Sequence, residues 1–157
     1  MNRNRALFIG LYAALSVAIF VPTHAGADDT ASVISMIQRN ADYDNAGDTK
    51  HSVADYAPDA VIIDSIAPYI WRGKDAYAQW WRAALGDMRK KGMSEPFTKL
   101  LSPSHVEING DRAYAVFPVI FTFKKLGKPQ QQRATLTYAL IEVAGRWRIT
   151  GWAWSDD

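Results

Sequence analysis

The chain of 157 residues contains no cysteine and only three histidines. The missing thiols exclude a disulfide framework and a lipid anchor attached to cysteine. They also remove a common ligand of structural zinc sites, and the two histidines beyond the first 27 residues, His51 and His105, are far apart in the sequence. We therefore predict a protein without a metal site, whose stability comes from an apolar core.

An excess of charge of one sign is also missing. The chain carries 18 Lys and Arg residues against 16 Asp and Glu residues, and loss of residues 1–27 would leave 16 of each sign. Nucleic-acid binding needs a dense basic face, which this balance does not provide. A glycine-rich phosphate loop, a dinucleotide fingerprint and a G-x-S-x-G elbow are missing as well. We predict no nucleic-acid partner and no cofactor.

The first 27 residues have the composition of a targeting segment. A basic start, MNRNR, precedes a run of 16 apolar or small residues, ALFIGLYAALSVAIFV, and then a break at Pro22. This order is typical of a secretory signal peptide, with cleavage after Ala25 or, as the A-x-A triplet favours, after Ala27. The alternative is an uncleaved anchor, although the run is short for a span of about 20 residues. We predict a periplasmic or secreted protein that is free of the membrane after cleavage and has one domain, residues 28–157.

The spacing of apolar residues predicts helices first and strands afterwards. The predicted helices cover residues 29–46, 49–56 and 74–91, and one short strand covers residues 60–64. Four long strands are predicted over residues 97–108, 112–124, 130–143 and 146–155. Tight turns such as the one at Asn109-Gly110 favour an antiparallel meander. This order indicates an α+β fold with the helices packed on one face of a curved sheet.

Several tryptophans can be assigned to faces of these elements. On the third helix the inner stripe is expected to contain Ala76, Trp80, Ala83, Ala84 and Met88, with Trp81 outside it. Along the last strand, side chains alternate between the two faces of the sheet. This alternation places Thr150, Trp152 and Trp154 on one face, and Trp147 and Ile149 on the other.

Asp64 interrupts an apolar pattern. It follows Ala60-Val61-Ile62-Ile63 at a position where another Val or Ile would fit. Such runs are usually buried, and a buried carboxylate is costly unless it is paired or hydrogen-bonded. The residues alone leave two alternatives open: a general base or ligand anchor, or a structural carboxylate that caps the loop at residues 65–69 or pairs with Arg72.

Three segments in order resemble one known superfamily. NAGDTKHSVADYAPDAVIID is similar to the helix-helix-strand start of the nuclear transport factor 2-like superfamily, WRGKDAYAQWW to its third helix and GRWRITGWAWS to its last strand. The superfamily includes SnoaL-like polyketide cyclases and ketosteroid isomerase, and the resemblance covers about residues 30–155. It implies a cystatin-like cone, in which a curved antiparallel sheet wraps three N-terminal helices around a deep apolar pocket. It also implies a homodimer formed through the outer face of the sheet.

The resemblance implies a role for Asp64, which falls at the position of the catalytic Asp of ketosteroid isomerase. In that enzyme the carboxylate moves a proton next to a carbonyl group, and two donors stabilise the resulting oxyanion. The positions of those donors correspond to Asn40 and Thr137, which are weaker acids but can still donate a hydrogen bond. Tyr43, one turn after Asn40, could supply a hydroxyl group in its place.

The resemblance also implies aromatic walls for the pocket. Trp154 falls where the isomerase has a pocket aromatic, Thr150 and Trp152 share its face by alternation, and Trp80 could reach the pocket from the third helix. The leading hypothesis is a cofactor-free isomerase, cyclase or dehydratase in which Asp64 acts as base on an apolar carbonyl compound. The alternative is a non-catalytic ligand-binding or dimeric accessory domain of the same fold, because a fold alone does not determine function.

Overall fold

The computed structural model describes residues 26–157, so the predicted signal peptide lies outside the described residues except for its last two. In that part of the chain there are three helices, α1 (Ala27–Asn45), α2 (Thr49–Ala54) and α3 (Ala76–Lys90). The strands are β1 (Tyr56–Ile63), β2 (Ile70–Arg72), β3 (Met93–Leu100), β4 (His105–Asn109), β5 (Arg112–Lys125), β6 (Lys128–Val143) and β7 (Arg146–Asp156). No helix of these described residues is long and apolar enough to cross a membrane.

The strands form one curved, open sheet with the helices on its inner face. The strand order is β2-β1-β7-β6-β5-β3, and β4 also pairs with β5. Strands β5, β6 and β7 form the predicted antiparallel meander, whereas β1 runs parallel to β7. The parallel pairing is possible because the chain between β1 and β7 contains α3 and the rest of the sheet. The predicted α+β class is confirmed.

In two places the number of strands differs from the sequence prediction. The single strand expected over residues 97–108 is divided into β3 and β4, and Pro103 lies between them. Proline cannot donate to a strand ladder, so the chain leaves the sheet there and returns to pair with β5 again. Strand β2 forms within the segment predicted as a loop, where buried Trp71 lies opposite Ile62.

The predicted alternation along β7 is wrong for Trp147 and Ile149, which do not lie on the face opposite Trp152. Ile149 pairs with Leu140 of β6, and Gly151 pairs with the preceding β6 residue, Ala139, so that β7 has one extra residue, Thr150. Such a β-bulge reverses the order in which side chains alternate between the faces. Trp147 and Ile149 before the bulge therefore lie on the same inner face as Trp152 beyond it. Trp147 is only 8% exposed.

Gly151 allows this bulge to pack against β1. A Cβ atom at this position would lie 2.6 Å from the carbonyl oxygen of Val61. Only a residue without a side chain permits so close an approach of two backbones. Because of the bulge and the glycine, tryptophan side chains from both halves of β7 point to the inner face of the sheet.

The inner face has two halves. In one half, Phe117, Leu140 and Ile149 belong to the same buried cluster as Val33 and Ile37 of α1. In the other half, α3 does not fill the space above the sheet, and a cavity remains between them. We call these the closed half and the open half.

Candidate functional site

The cavity of the open half has a volume of about 470 Å³. This lies within the usual range of small-molecule sites, roughly 300–1,000 Å³. Most of its wall is apolar, and aromatic side chains from α3, β5, β6 and β7 dominate it: Trp80, Trp81, Phe121, Phe123, Tyr138, Trp152 and Trp154. Such a lining suits a flat and largely apolar compound.

Asp64 is one of the carboxylates in this wall. It directly follows the last residue of β1 and is half-buried. The indole Nε1–H of Trp80 donates a hydrogen bond of 2.7 Å to Oδ2, while the Ser65 hydroxyl donates to Oδ1 over a longer distance of 3.4 Å. Oδ2 is therefore firmly held, and Oδ1 can accept from a ligand.

The structural alternative for Asp64 is met only in part. Its backbone N–H donates to the carbonyl oxygen of Tyr69 at 3.2 Å, which closes the loop after β1. Within residues 26–157 its carboxylate forms no ion pair, and Arg72 lies opposite Val61, not opposite Asp64. The backbone of Asp64 thus closes the loop, and its carboxylate is not needed for that role and lines the cavity.

Helix α3 presents a wider stripe to the inside than the sequence predicts. Trp80 packs edge-on against Trp152, with ring centroids 4.8 Å apart, and Trp81 also lines the cavity. The prediction that Trp81 lies outside the inner stripe is wrong. The Trp81 ring stacks on Tyr77, with ring centroids 6.0 Å apart. A helix beside a cavity can turn more than one row of side chains inward, so both Trp80 and Trp81 reach the inner side.

Asp44 is a second carboxylate of the cavity, and it is not among the predicted site residues. It lies in the last turn of α1, where its Oδ1 accepts two hydrogen bonds of 2.6 Å, from Ser52 Oγ and from the Tyr77 hydroxyl. Burial raises the pKa of Asp44, although these two bonds act in the opposite direction; the charge of Asp55 adds a small increase. A carboxyl group in this setting holds its proton to a higher pH than an exposed one.

Tyr138 contributes a hydroxyl group from the sheet. It lies on β6, lines the cavity, and has its pKa raised by burial and by the nearby charge of Asp44. Its hydroxyl has no hydrogen-bond partner among the described residues and is not fully buried. By contrast, the indole N–H of Trp152 is already used, because it donates to the Tyr56 hydroxyl at 2.8 Å.

The eight residues predicted for the site fall into two groups. Four of them line the cavity: Asp64, Trp80, Trp152 and Trp154. The other four are not among its lining residues: Asn40, Tyr43, Thr137 and Thr150. Thr137 lies on the outer face, opposite Val116 and Ala153, and Thr150 is the extra residue of the bulge.

Asn40 lies behind the cavity wall instead of in it. Its side chain is 1% exposed, and Nδ2 donates to both the carbonyl oxygen and Oγ of Ser52 at 3.1 Å. Ser52 Oγ in turn donates to Asp44, so Asn40 helps to position a cavity residue without touching the cavity. Tyr43 packs against His51, with ring centroids 5.4 Å apart, away from this network.

A sequence signal for Asp44 did exist. Val33, Ile37 and Ala41 mark the buried face of α1, and Asp44 continues that face one turn later. A carboxylate on the apolar stripe of a helix is as unusual as Asp64 at the end of an apolar strand. The resemblance instead indicates Asn40, at a neighbouring position of the same helix.

A family model described as a SnoaL-like domain matches residues 33–155. The chain therefore belongs to the SnoaL-like family, within the nuclear transport factor 2-like superfamily. No curated protein matches it in sequence.

Solved structures share the fold at low sequence identity. Aln2 from a Streptomyces species is 17% identical with a TM-score of 0.69, and the match covers 86% of this chain and 95% of that one. A protein of unknown function from Pseudomonas putida, described as NTF2-like, is 23% identical with a TM-score of 0.67, covering 83% and 88%. A candidate scytalone dehydratase from Novosphingobium aromaticivorans is 9% identical with a TM-score of 0.68, covering 83% and 85%. These similarities show the fold.

Proposed function

We propose that the protein binds a flat, largely apolar carbonyl compound and that Asp64 acts as general base in a cofactor-free isomerisation, cyclisation or dehydration. The observation that carries this proposal is the carboxylate of Asp64 in an otherwise apolar wall, fixed by Trp80 at 2.7 Å. The name of one structural neighbour, a candidate scytalone dehydratase, is compatible with dehydration.

The geometry suits proton abstraction. Trp80 holds Oδ2 and leaves Oδ1 with only the 3.4 Å contact from Ser65, so Oδ1 can take a proton from a bound ligand. Aromatic walls exclude water from the bound face of the ligand, which strengthens the electrostatic effect of the carboxylate. A positioned general base typically contributes about 10²- to 10⁴-fold to the rate.

Hydrogen–deuterium exchange tests the base directly. Bicyclic ketones such as 1-tetralone would be incubated with the protein in D₂O, and deuterium uptake beside the carbonyl measured by mass spectrometry. We expect Asp64→Asn to lower the exchange rate about 10²-fold or more. Asp59→Asn is the matched control, because Asp59 is exposed on β1, the strand that Asp64 follows, and does not line the cavity.

A non-catalytic binding domain is the second candidate. It is favoured by the positions of Asn40 and Thr137, neither of which lines the cavity to serve as an oxyanion donor. Four tryptophans do line it, so binding should change the intrinsic fluorescence. The decisive case is a ketone that changes the fluorescence of the wild type and yet takes up deuterium no faster with the wild type than with Asp64→Asn. That result would favour the binding domain and contradict the enzyme.

We also propose a homodimer through the outer face of the sheet. Apolar side chains are exposed there, among them Ile63 (47%) and Tyr114 (44%), and the row formed by Val116, Thr137 and Ala153 lies between them. Mass measurement by light scattering should give twice the mass of one chain for the wild type and one chain for Val116→Glu. A wild-type monomer at micromolar concentration would contradict the dimer.

Export is the last part of the proposal, and it rests on the first 27 residues of the sequence. Expression of the full chain in a Gram-negative host should yield a periplasmic product that begins at Asp28. Intact-mass analysis of the periplasmic and membrane fractions measures this. A full-length product in the membrane fraction would favour the uncleaved anchor.

A further inference from the structure

The proposed function leaves one cavity group unused. Asp44 Oδ1 is saturated, because it accepts from both Ser52 Oγ and the Tyr77 hydroxyl at 2.6 Å. Oδ2 has no hydrogen-bond partner among residues 26–157 and is not fully buried, and Asp44 is one of the residues that line the cavity. A polar atom that lacks a partner, on a residue that lines an apolar cavity, is a candidate contact for a ligand.

The surroundings of Asp44 do not balance a negative charge. In the described part of the chain Asp44 forms no ion pair. Two cations lie near Asp55, and both are already bound: Arg39 pairs with the Asp55 carboxylate at 3.0 Å, and Arg148 donates to the carbonyl oxygen of Ala54 at 2.7 Å. The titratable groups that face Asp44 from α2, β1, α3 and β6 are neutral or acidic: Asp55, Tyr56, Tyr77 and Tyr138. The other charged residues lining the cavity are Asp64, Asp87, Lys91, Lys125 and Asp156, and Lys91 is paired with Asp87 at 2.7 Å.

These surroundings favour the neutral acid. Burial raises the pKa of Asp44, and a charge without a cation in this position would be costly. Since Oδ1 already accepts two hydrogen bonds, a proton is best placed on Oδ2. A protonated Oδ2 is a donor, and so is the hydroxyl of Tyr138 in the same cavity.

We propose that Asp44, as a neutral acid, donates a hydrogen bond from Oδ2 to a carbonyl oxygen of the ligand, with the Tyr138 hydroxyl as a second donor. This inference rests on the proposed function only in that the cavity binds a small molecule; it does not require Asp64 to act as a base. It narrows the ligand class to flat neutral compounds with an apolar body and a ketone or quinone oxygen. A hydrocarbon of the same shape would leave both donors unpaired, and sites of this kind reject such analogues.

Two probes of nearly equal shape test the inference. 1-Tetralone carries a ketone oxygen and tetralin does not, so the ratio of their dissociation constants isolates the carbonyl contact. We expect wild type to prefer the ketone roughly tenfold or more below the pKa of Asp44. The preference should fall as the pH rises through that pKa, because Asp44 then loses the proton that it donates.

Variants separate the donor from the rest of the cavity. Asp44→Asn keeps an N–H donor of the same shape, so its preference for the ketone should persist and no longer depend on pH. Asp42→Asn is the matched control, because Asp42 is on the same helix and does not line the cavity; this variant should show the pH dependence of the wild type. Equal binding of both probes by wild type, or the same pH dependence in Asp44→Asn, would overturn the inference and leave the proposed pocket intact.

A titration without ligand keeps the inference testable in every case. The carboxyl carbons of ¹³C-labelled aspartate would be followed by NMR, with Asp44 assigned by comparison with Asp44→Asn. We expect Asp44 to titrate above the ordinary value of about 3.9. Titration at or below that value would overturn the inference even if both probes bind. If neither probe binds, the proposed pocket function fails and the inference fails with it.

Discussion

The closed and open halves of the inner face are built from the same strands and the same kinds of side chain. On β5, Phe117 is 1% exposed in the core cluster, whereas Phe121, four residues further on the same face, borders the cavity. On β7, Trp147 is buried in the core and Trp154 lines the cavity. The difference is what lies opposite: α1 fills one half and α3 leaves space above the other. A binding site can therefore arise from incomplete packing over an ordinary apolar sheet face.

The largest expected effect tests this comparison with one residue type. Phe117→Ala should cost about 3–5 kcal/mol of unfolding free energy, because it leaves a void in a filled core. Phe121→Ala should cost only about 1–2 kcal/mol, since part of its ring already faces the cavity. Urea unfolding measures both values. Equal losses would mean that the two halves are packed alike.

The β7 bulge, which brings both halves of that strand to the same face, is tested by Gly151→Ala. The added methyl group would meet the Val61 carbonyl oxygen at 2.6 Å, and backbone cannot easily move aside. We expect a loss of about 2–3 kcal/mol of unfolding free energy. Gly86→Ala is the control: its methyl group meets no atom within 4 Å, and in the interior of α3 it should stabilise by about 0.5–1 kcal/mol. A tolerated alanine at Gly151 would contradict the close approach.

Asn40 and Thr137 both correspond by resemblance to oxyanion donors of ketosteroid isomerase, but their substitution should change the unfolding free energy by different amounts. Asn40→Ala removes the donor to Ser52 and leaves a buried carbonyl group with one bond fewer, at a cost of about 1–2 kcal/mol. Thr137→Val on the outer face should change the unfolding free energy by less than about 0.5 kcal/mol. Thermal and urea unfolding of the two variants would be compared. Equal costs would argue against a structural network behind the cavity.

The smallest effect is the pH dependence of stability that Asp44 contributes. Its pKa in the folded state is raised, so the folded state binds the proton more tightly than the unfolded state. The resulting stabilisation is fully present below the unfolded pKa and is lost as the pH rises through the folded pKa. The urea midpoint of wild type, relative to that of Asp44→Asn, should therefore decline between about pH 4 and pH 8. A difference that is constant or rises with pH would contradict the raised pKa.

Local patterns predicted most of the fold. The helices begin and end within two residues of their predicted limits, because apolar periodicity and the turn after α1 at Gly47 are local properties. The prediction failed where two distant segments meet. The β7 bulge depends on the approach of β1, and β2 depends on pairing with the end of β1, so neither has a local signal.

The candidate site was predicted to a smaller extent. Asp64 stood out because a carboxylate interrupts an apolar strand, and it does lie in the cavity wall. Asn40 and Thr137 are predicted only from corresponding positions in ketosteroid isomerase. Neighbouring residues of a strand face opposite sides of the sheet, so an error of one position on β6 exchanges Tyr138 for Thr137. Positional correspondence identifies a region of the fold, and the orientation of each side chain has to come from the packing.

The sequence by itself determined the order of the elements, the α+β class, the apolar face of each long element and the unusual carboxylate at Asp64. These follow from periodicity and turn chemistry, which act over a few residues. Only the tertiary structure decided which apolar surface is filled and which is left open, and which polar groups meet there. Asp44, Ser52 and Tyr77 come from three different helices, and the hydrogen bonds among them exist only after those helices pack. Burial by that packing, with a smaller contribution from the charge of Asp55, is what raises the pKa of Asp44.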